Sequence, residues 1–137
     1  MIKDPESKQV AVGDFQVLVV DDEKSILDLT SEILTAEGFK VKAMASPLDA
    51  LRVIKLHRFD ALILDVYMPE LPGLLFHAKL KFLDSELARR TIFTSGHFNR
   101  EELRDHIEKS SFFLPKPFDP DQLIEILRRV LPEKPRT

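Results

Sequence analysis

Short apolar runs alternate along the chain with longer stretches in which apolar residues recur every three or four positions, and the alternation repeats five times. "QVLVV" (Gln16 to Val20) has no polar interruption after its first residue, which predicts a strand buried on both faces. Ile26, Leu29, Ile33 and Leu34 then recur at helical spacing up to Gly38, a residue suited to ending a helix. "KVKAMA" predicts a second, weaker strand. It is followed by "SPLD", with Ser46 placed to cap a helix, Pro47 at its first position and Asp49 three residues after the cap; that helix should run through Ile54 to about His57. "ALILD" (Ala61 to Asp65) is the third strand, apolar until its last residue. A helix from about Leu74 to Leu83 follows the loop "VYMPELPG". "TIFTSG" supplies a fourth strand, and Asn99 with Glu102 opens a fourth helix whose strong apolar anchors are Leu103 and Ile107. "FFL" is a short fifth strand. Asp119 caps the fifth helix, "DPDQLIEILRRVL", with Pro120 at its first position.

Five strand-then-helix units whose strands lack polar alternation predict a parallel sheet covered on both faces. The expected architecture is α/β, a doubly wound five-stranded sheet in the order 2-1-3-4-5 with five helices. Residues 1–14 and 132–137 show no sustained period and are read as a flexible N-terminal arm and a C-terminal tail, either of them an ordinary end or the stump of a linker. That leaves 15–131 as one domain. A chain of 137 residues has room for one good core and not for two.

Composition narrows the function. A hydrophobic share of 44% and a charged share of 31% are those of an ordinary globular protein. The net charge of -3 gives no basic footprint for nucleic acid. No cysteine is present, which removes disulfides, thiolate catalysis and cysteine metal sites. No apolar run approaches the length of a membrane span, and the first residues lack the core of a signal peptide. A cytoplasmic protein without membrane contact is expected.

The chemistry collects at the ends of the predicted strands. Asp21, Asp22 and Glu23 follow the first strand directly. Acidic residues there suit the first turn of a helix, but carboxylates held together in a partly desolvated place also call for a positive partner. The third strand ends in Asp65, the fourth in Thr94 and Ser95, and the fifth runs through Leu114 and Pro115 to Lys116. In sheets of this order, ligands bind beyond the carboxyl ends of the strands where the order reverses. Three carboxylates suit a hard divalent cation such as Mg²⁺, with Mn²⁺ as a substitute. Lys116 and Thr94 add a charge and a hydroxyl for a phosphoryl oxygen. Together they suggest phosphoryl transfer to a carboxylate.

Four segments at these strand ends, "VVDDE", "LILDVYMPELPG", "IFTSG" and "FLPKPF", resemble in order and spacing the receiver domains of two-component response regulators, which have a flavodoxin-like fold. The resemblance spans about Phe15 to Leu131. It implies that Asp65 is the phosphoacceptor and that Asp22, Asp65 and the backbone carbonyl of Tyr67 bind Mg²⁺, with Asp21 acting largely through metal-bound water. It implies that Thr94, Lys116 and the Ser95 N–H contact the phosphoryl group, and that Phe113 is the aromatic that turns inward after Thr94. Met68, Pro69 and Gly73 match the turn after the acceptor strand, and the Lys116–Pro117 bond is expected to be cis. The donor would be a histidine kinase or a histidine phosphotransfer protein. The face of helix four, strand five and helix five would serve an output protein or domain, or a phosphorylation-dependent homodimer. Such a protein is a signalling phosphoacceptor and not an enzyme, beyond supporting its own phosphorylation and dephosphorylation.

Two other readings compete. A phosphatase of the haloacid dehalogenase type also uses a nucleophilic Asp, Mg²⁺ and a Lys, but needs a second Asp two residues after the nucleophile; Tyr67 stands there. A receiver-like module working by contact alone would not need the full acidic and phosphate-binding set. His57, His77, His97 and His106 are too scattered for a ligand motif, so surface or packing roles are expected for them. Lys109 and Ser110 stand where relatives usually have Gly-Ala.

Overall fold

The computed structural model describes residues 11–96 and 112–136. The strands are β1 (Gln16–Val20), β2 (Lys40–Met44), β3 (Ala61–Asp65), β4 (Thr91–Ser95) and β5 (Phe112–Pro115). The helices are α1 (Lys24–Glu37), α2 (Pro47–Leu56), α3 (Gly73–Leu83), α4 (Ser85–Arg89) and α5 (Pro120–Val130). All strand pairs are parallel, in the order β2-β1-β3-β4-β5, as the pattern predicted. The helix predicted from Asn99, with His97 and His106, lies outside the described residues.

Strand alternation sends side chains to two separate cores. Leu18, Val20, Leu62, Leu64 and Phe93 pack on one face with Ile54 of α2, Phe76 and Leu80 of α3 and Leu87 of α4. Val17, Val19, Ala61, Ile63 and Ile92 pack on the other with Leu27 and Leu34 of α1 and Leu123 and Leu127 of α5. Every residue of β3 and β4 is buried, whereas β2 at the edge is largely exposed. Each fully buried Leu or Phe contributes roughly 1.5–3 kcal/mol by leaving water, so the central strands anchor the sheet.

Helix ends follow local chemistry. Gly38 closes α1 at φ 107°, a left-handed conformation that glycine adopts without strain. Ser46 accepts a hydrogen bond from Asp49 N, and Asp119 and Gln122 form a reciprocal capping box at α5. Replacing Asp119 with Ala should cost about 1 kcal/mol; a thermal melt should show a drop of a few degrees.

Two features differ from the sequence reading. "DSELARR" holds the additional helix α4, because Asp84 serves two helices at once: its N–H donates to Leu80 O at the end of α3, and its side chain accepts from Leu87 N. The end of the chain is also not loose as far as Arg136. Its guanidinium forks onto Asp84 at 2.8 and 2.9 Å and donates to Phe59 O, while its backbone N–H donates to buried Asp60. At the other end, Val12–Asp14 form a 3-10 turn, and Val12 packs on the second core.

Candidate functional site

The sheet order reverses between β1 and β3, and the predicted residues gather at that edge. Asp21 and Asp65 are each 3% exposed, while Asp22 faces solvent. One carboxylate oxygen from each of Asp21, Asp22 and Asp65 falls within 4.8 Å of the others. Asp21 is held in place by its N–H, which donates to Met44 O, and by its side chain, which accepts from Glu23 N. Glu23 takes the N-cap position of α1 without a side-chain cap hydrogen bond, and no acidic residue stands in the first turn of that helix, so the two aspartates gather with Asp65 and do not serve the helix end.

Lys116 reaches in from beyond β5. Its Nζ lies 2.8 Å from Asp21, 3.5 Å from Asp65 and 3.8 Å from Glu23, with the side chain almost wholly buried. Glu23 is the site residue that was not singled out; only the spatial position of Lys116 discloses it. The Lys116–Pro117 bond is cis, as expected, and Lys116 N donates to Ser95 O. Thr94 and Ser95 are buried at the end of β4, where Thr94 pairs in register with Asp65 and its carbonyl accepts from Val66 N. Phe113 is half-buried, pairs with Phe93 and packs on the first core; Phe112 packs on the second. The two phenylalanines thus point to opposite faces of the sheet. Tyr67 is exposed, and its N–H donates to Asp65 Oδ1.

Gly73 holds the loop after Asp65 in place by letting backbone pack closely against it. Its φ is not positive; its N–H donates to Val66 O at 2.8 Å, and a Cβ there would overlap the Asp65 carbonyl oxygen. The need is for space.

Burial, then the neighbouring charge of Asp21, pushes Asp65 up to about 7, against the pull of Lys116 and the Tyr67 N–H. Burial alone would lower Lys116, but its hydrogen bond to Asp21 and the charges of Asp21, Asp65 and Glu23 hold it above the usual lysine value. A carboxyl with a raised folded value contributes stability below its unfolded value of about 4 and loses it as pH rises through about 7. In metal-free protein Asp65→Asn should therefore raise Tm at pH 8, and the gain should shrink towards pH 5; thermal melts of both proteins across that range check this.

Two buried carboxylates thus lie at hydrogen-bonding and ion-pairing distance from one amine, with the exposed Asp22 beside them. Comparison with known proteins gives the arrangement a family. The model of the response regulator receiver domain matches residues 17–128. The chain belongs to that family.

Among its relatives, sporulation initiation phosphotransferase F of Bacillus subtilis is 27% identical over 120 residues, covering 87% of this chain and 95% of the relative. Response regulator MprA of Mycobacterium avium is 31% identical, but the match covers 86% of this chain and only 53% of that protein. This chain spans about half the length or less of several curated relatives. Among solved structures, the receiver domain of NtrX from Brucella abortus superposes with a TM-score of 0.77 at 33% identity, covering 84% of this chain and 97% of that one. Chemotaxis protein CheY4 of Vibrio cholerae superposes at 0.75 with 29% identity, covering 85% and 98%. Receiver domains of response regulators are signalling proteins of two-component systems, and the flavodoxin-like architecture expected from sequence is the one observed.

His77 is a packing residue, as expected: it is buried, its Nε2 lies 2.8 Å from Ala88 O, and its ring meets Phe93 edge-on at 4.9 Å. Among the described residues no helix is long and apolar enough to cross a membrane.

Proposed function

We propose that this receiver takes a phosphoryl group onto Asp65 from a phosphohistidine of a histidine kinase or phosphotransfer protein. The observation that carries the reading is the convergence of Asp65, Asp21 and Lys116 at the end of β3, with an Asp22 oxygen beside them. An all-carboxylate donor set, partly open to solvent, fits a hard divalent cation. Asp22, Asp65 and the Tyr67 carbonyl would hold Mg²⁺ or Mn²⁺, with Asp21 in support, and the ion supplies neutralisation of charge on the phosphoryl oxygens.

The remaining steps belong to the protein. An Asp65 oxygen attacks phosphorus in line, the P–O bond forms as the P–N bond breaks, and the imidazole nitrogen keeps the electron pair and takes a proton. Lys116 faces Asp65 and balances the charge of the transferring group, so positioning and electrostatics do most of the catalysis. Thr94, in register with Asp65, donates its hydroxyl to a phosphoryl oxygen, and the Ser95 N–H assists. Phe113 then turns inward behind Thr94. This shifts the population of the face that carries β5 and α5, which binds an output protein or domain, or a second phosphorylated copy. Residues 15–131 constitute the working domain, placed in the cytoplasm with its kinase.

The chemistry of the bond tests this. Incubation with Mg²⁺ and ³²P-labelled acetyl phosphate should give a label that hydroxylamine removes, as from an acyl phosphate. A label resistant to hydroxylamine would place the phosphoryl group on another residue type and sink the reading.

A further inference from the structure

The pole of the sheet opposite the phosphate site carries a second cleft, of about 450 Å³, between the last turns of α2 and α3 and the start of α4. Its walls hold the two most exposed large apolar side chains described, Phe82 at 93% and Leu56 at 79%, together with Leu83. Side chains this size left in water at one concave place mark an interaction surface more often than chance. Lys55, Arg58 and Lys81 line the same cleft. Lys55 and Lys81 stand in the last turns of their helices, where they offset the dipole; that accounts for their charge and not for the apolar pair beside them.

Arg136 and Glu86 line the cleft, and Arg90 stands behind Glu86, outside the lining. Arg136 Nε and Arg90 Nη1 are buried and, although ion-paired with Glu86, make no hydrogen bond among the described residues. Both face one oxygen, Glu86 Oε2, at 3.1 and 3.5 Å. The Glu86 side chain is half exposed and can swing away, whereas Arg136 is fixed by its fork onto Asp84, whose carboxyl it holds below the usual range against the opposing effect of burial. A carboxylate from outside could take the place of Glu86 between the two guanidinium groups.

We propose that this cleft is a docking site for a partner protein segment that presents a carboxylate beside a large aliphatic or aromatic side chain. The apolar side chain would lie on Leu56, Phe82 and Leu83, and the carboxylate would meet Arg58, Lys81 and the guanidinium pair. Charge complementarity selects acidic over basic segments, and Asp84 with Glu86 makes a polyanionic nucleic acid backbone a poor occupant. The site is remote from Asp65, so it offers a contact that does not compete with the phosphodonor.

The probe is a phage-displayed library of random dodecapeptides panned on the purified protein. Selected sequences should pair Asp or Glu with Leu, Ile, Phe or Trp. A synthetic copy, followed by fluorescence anisotropy, should bind at least tenfold more weakly to Phe82→Ala and to Arg58→Glu, and more tightly to Glu86→Gln. Both weakened variants alter exposed side chains and should keep their Tm and their uptake of phosphate from acetyl phosphate, which separates this proposal from the phosphoacceptor reading. Selection of peptides without acidic residues, acidic peptides that bind both variants as well as the parent, or no enrichment over an unrelated protein would overturn it. So would capture by phosphatidylserine vesicles in the absence of any selected peptide, which would mark a lipid surface instead.

Discussion

Gly73→Val should remove the site while leaving most of the sheet. The added Cβ would lie 2.8 Å from Val66 Cα and 3.0 Å from the Asp65 carbonyl carbon, and both are backbone atoms that cannot step aside as a flexible side chain can. Overpacking of this kind costs about 1–3 kcal/mol and occasionally more, and valine adds its methyl groups to the same clash. Relief requires α3 to withdraw from Val66, breaking the Gly73 N–H bond to Val66 O and turning the peptide that orients Asp65. The expected result is a clearly lower Tm together with loss of Mg²⁺ binding by calorimetry at a temperature where the variant is folded. An unchanged Tm with normal Mg²⁺ affinity would show that the loop yields freely and that Gly73 positions nothing. Gly38→Ala serves as the contrast: there the demand is a left-handed backbone, and an added Cβ would meet only the Val12 side chain at ordinary contact distance, so stability should fall without loss of Mg²⁺ binding.

Lys116→Met should separate two roles that one amine now combines. Its Nζ sits 2.8 Å from Asp21 and 3.5 Å from Asp65, where it would compete with a divalent cation bound by the same carboxylates. Removing it should tighten Mg²⁺ binding at pH 8. It should also slow phosphoryl uptake by roughly 10²–10³, the usual cost of losing one preorganised group that stabilises transition-state charge. In metal-free protein the variant leaves Asp21 and Asp65 facing each other, an arrangement that costs several kcal/mol when both are charged and that Asp65 relieves by keeping its proton. A rate within a factor of a few of the parent would assign Lys116 a structural role only.

The sequence disclosed the sheet because β1, β3 and β4 lack polar alternation, their polar residues standing only at the strand ends, a pattern that suits a doubly covered parallel sheet. It disclosed the site because strand ends are countable: once Asp21, Asp65, Thr94 and Lys116 each close a strand or follow one, the parallel order brings them together. The misses are of another kind. Helix α4 has only Leu87 and Ala88 buried, too few for a periodic signal, and it exists because Asp84 both ends one helix and caps the next. Arg136 docks on Asp84 and Asp60, residues 52 and 76 positions away, and such a long-range ion pair leaves no periodicity in a polar tail. Glu23 reads as a helix cap, and its approach to Lys116 depends on a side chain from the far end of the domain.

Whether Asp65 accepts a phosphoryl group is read from the intact mass after incubation with Mg²⁺ and acetyl phosphate, beside Asp65→Asn and a metal-free sample. The parent protein should gain one phosphoryl group, and neither control should gain any. The same gain in Asp65→Asn, or no gain in a folded parent protein that binds Mg²⁺ even when a phosphorylated histidine kinase is the donor, would contradict the assignment of Asp65 as phosphoacceptor.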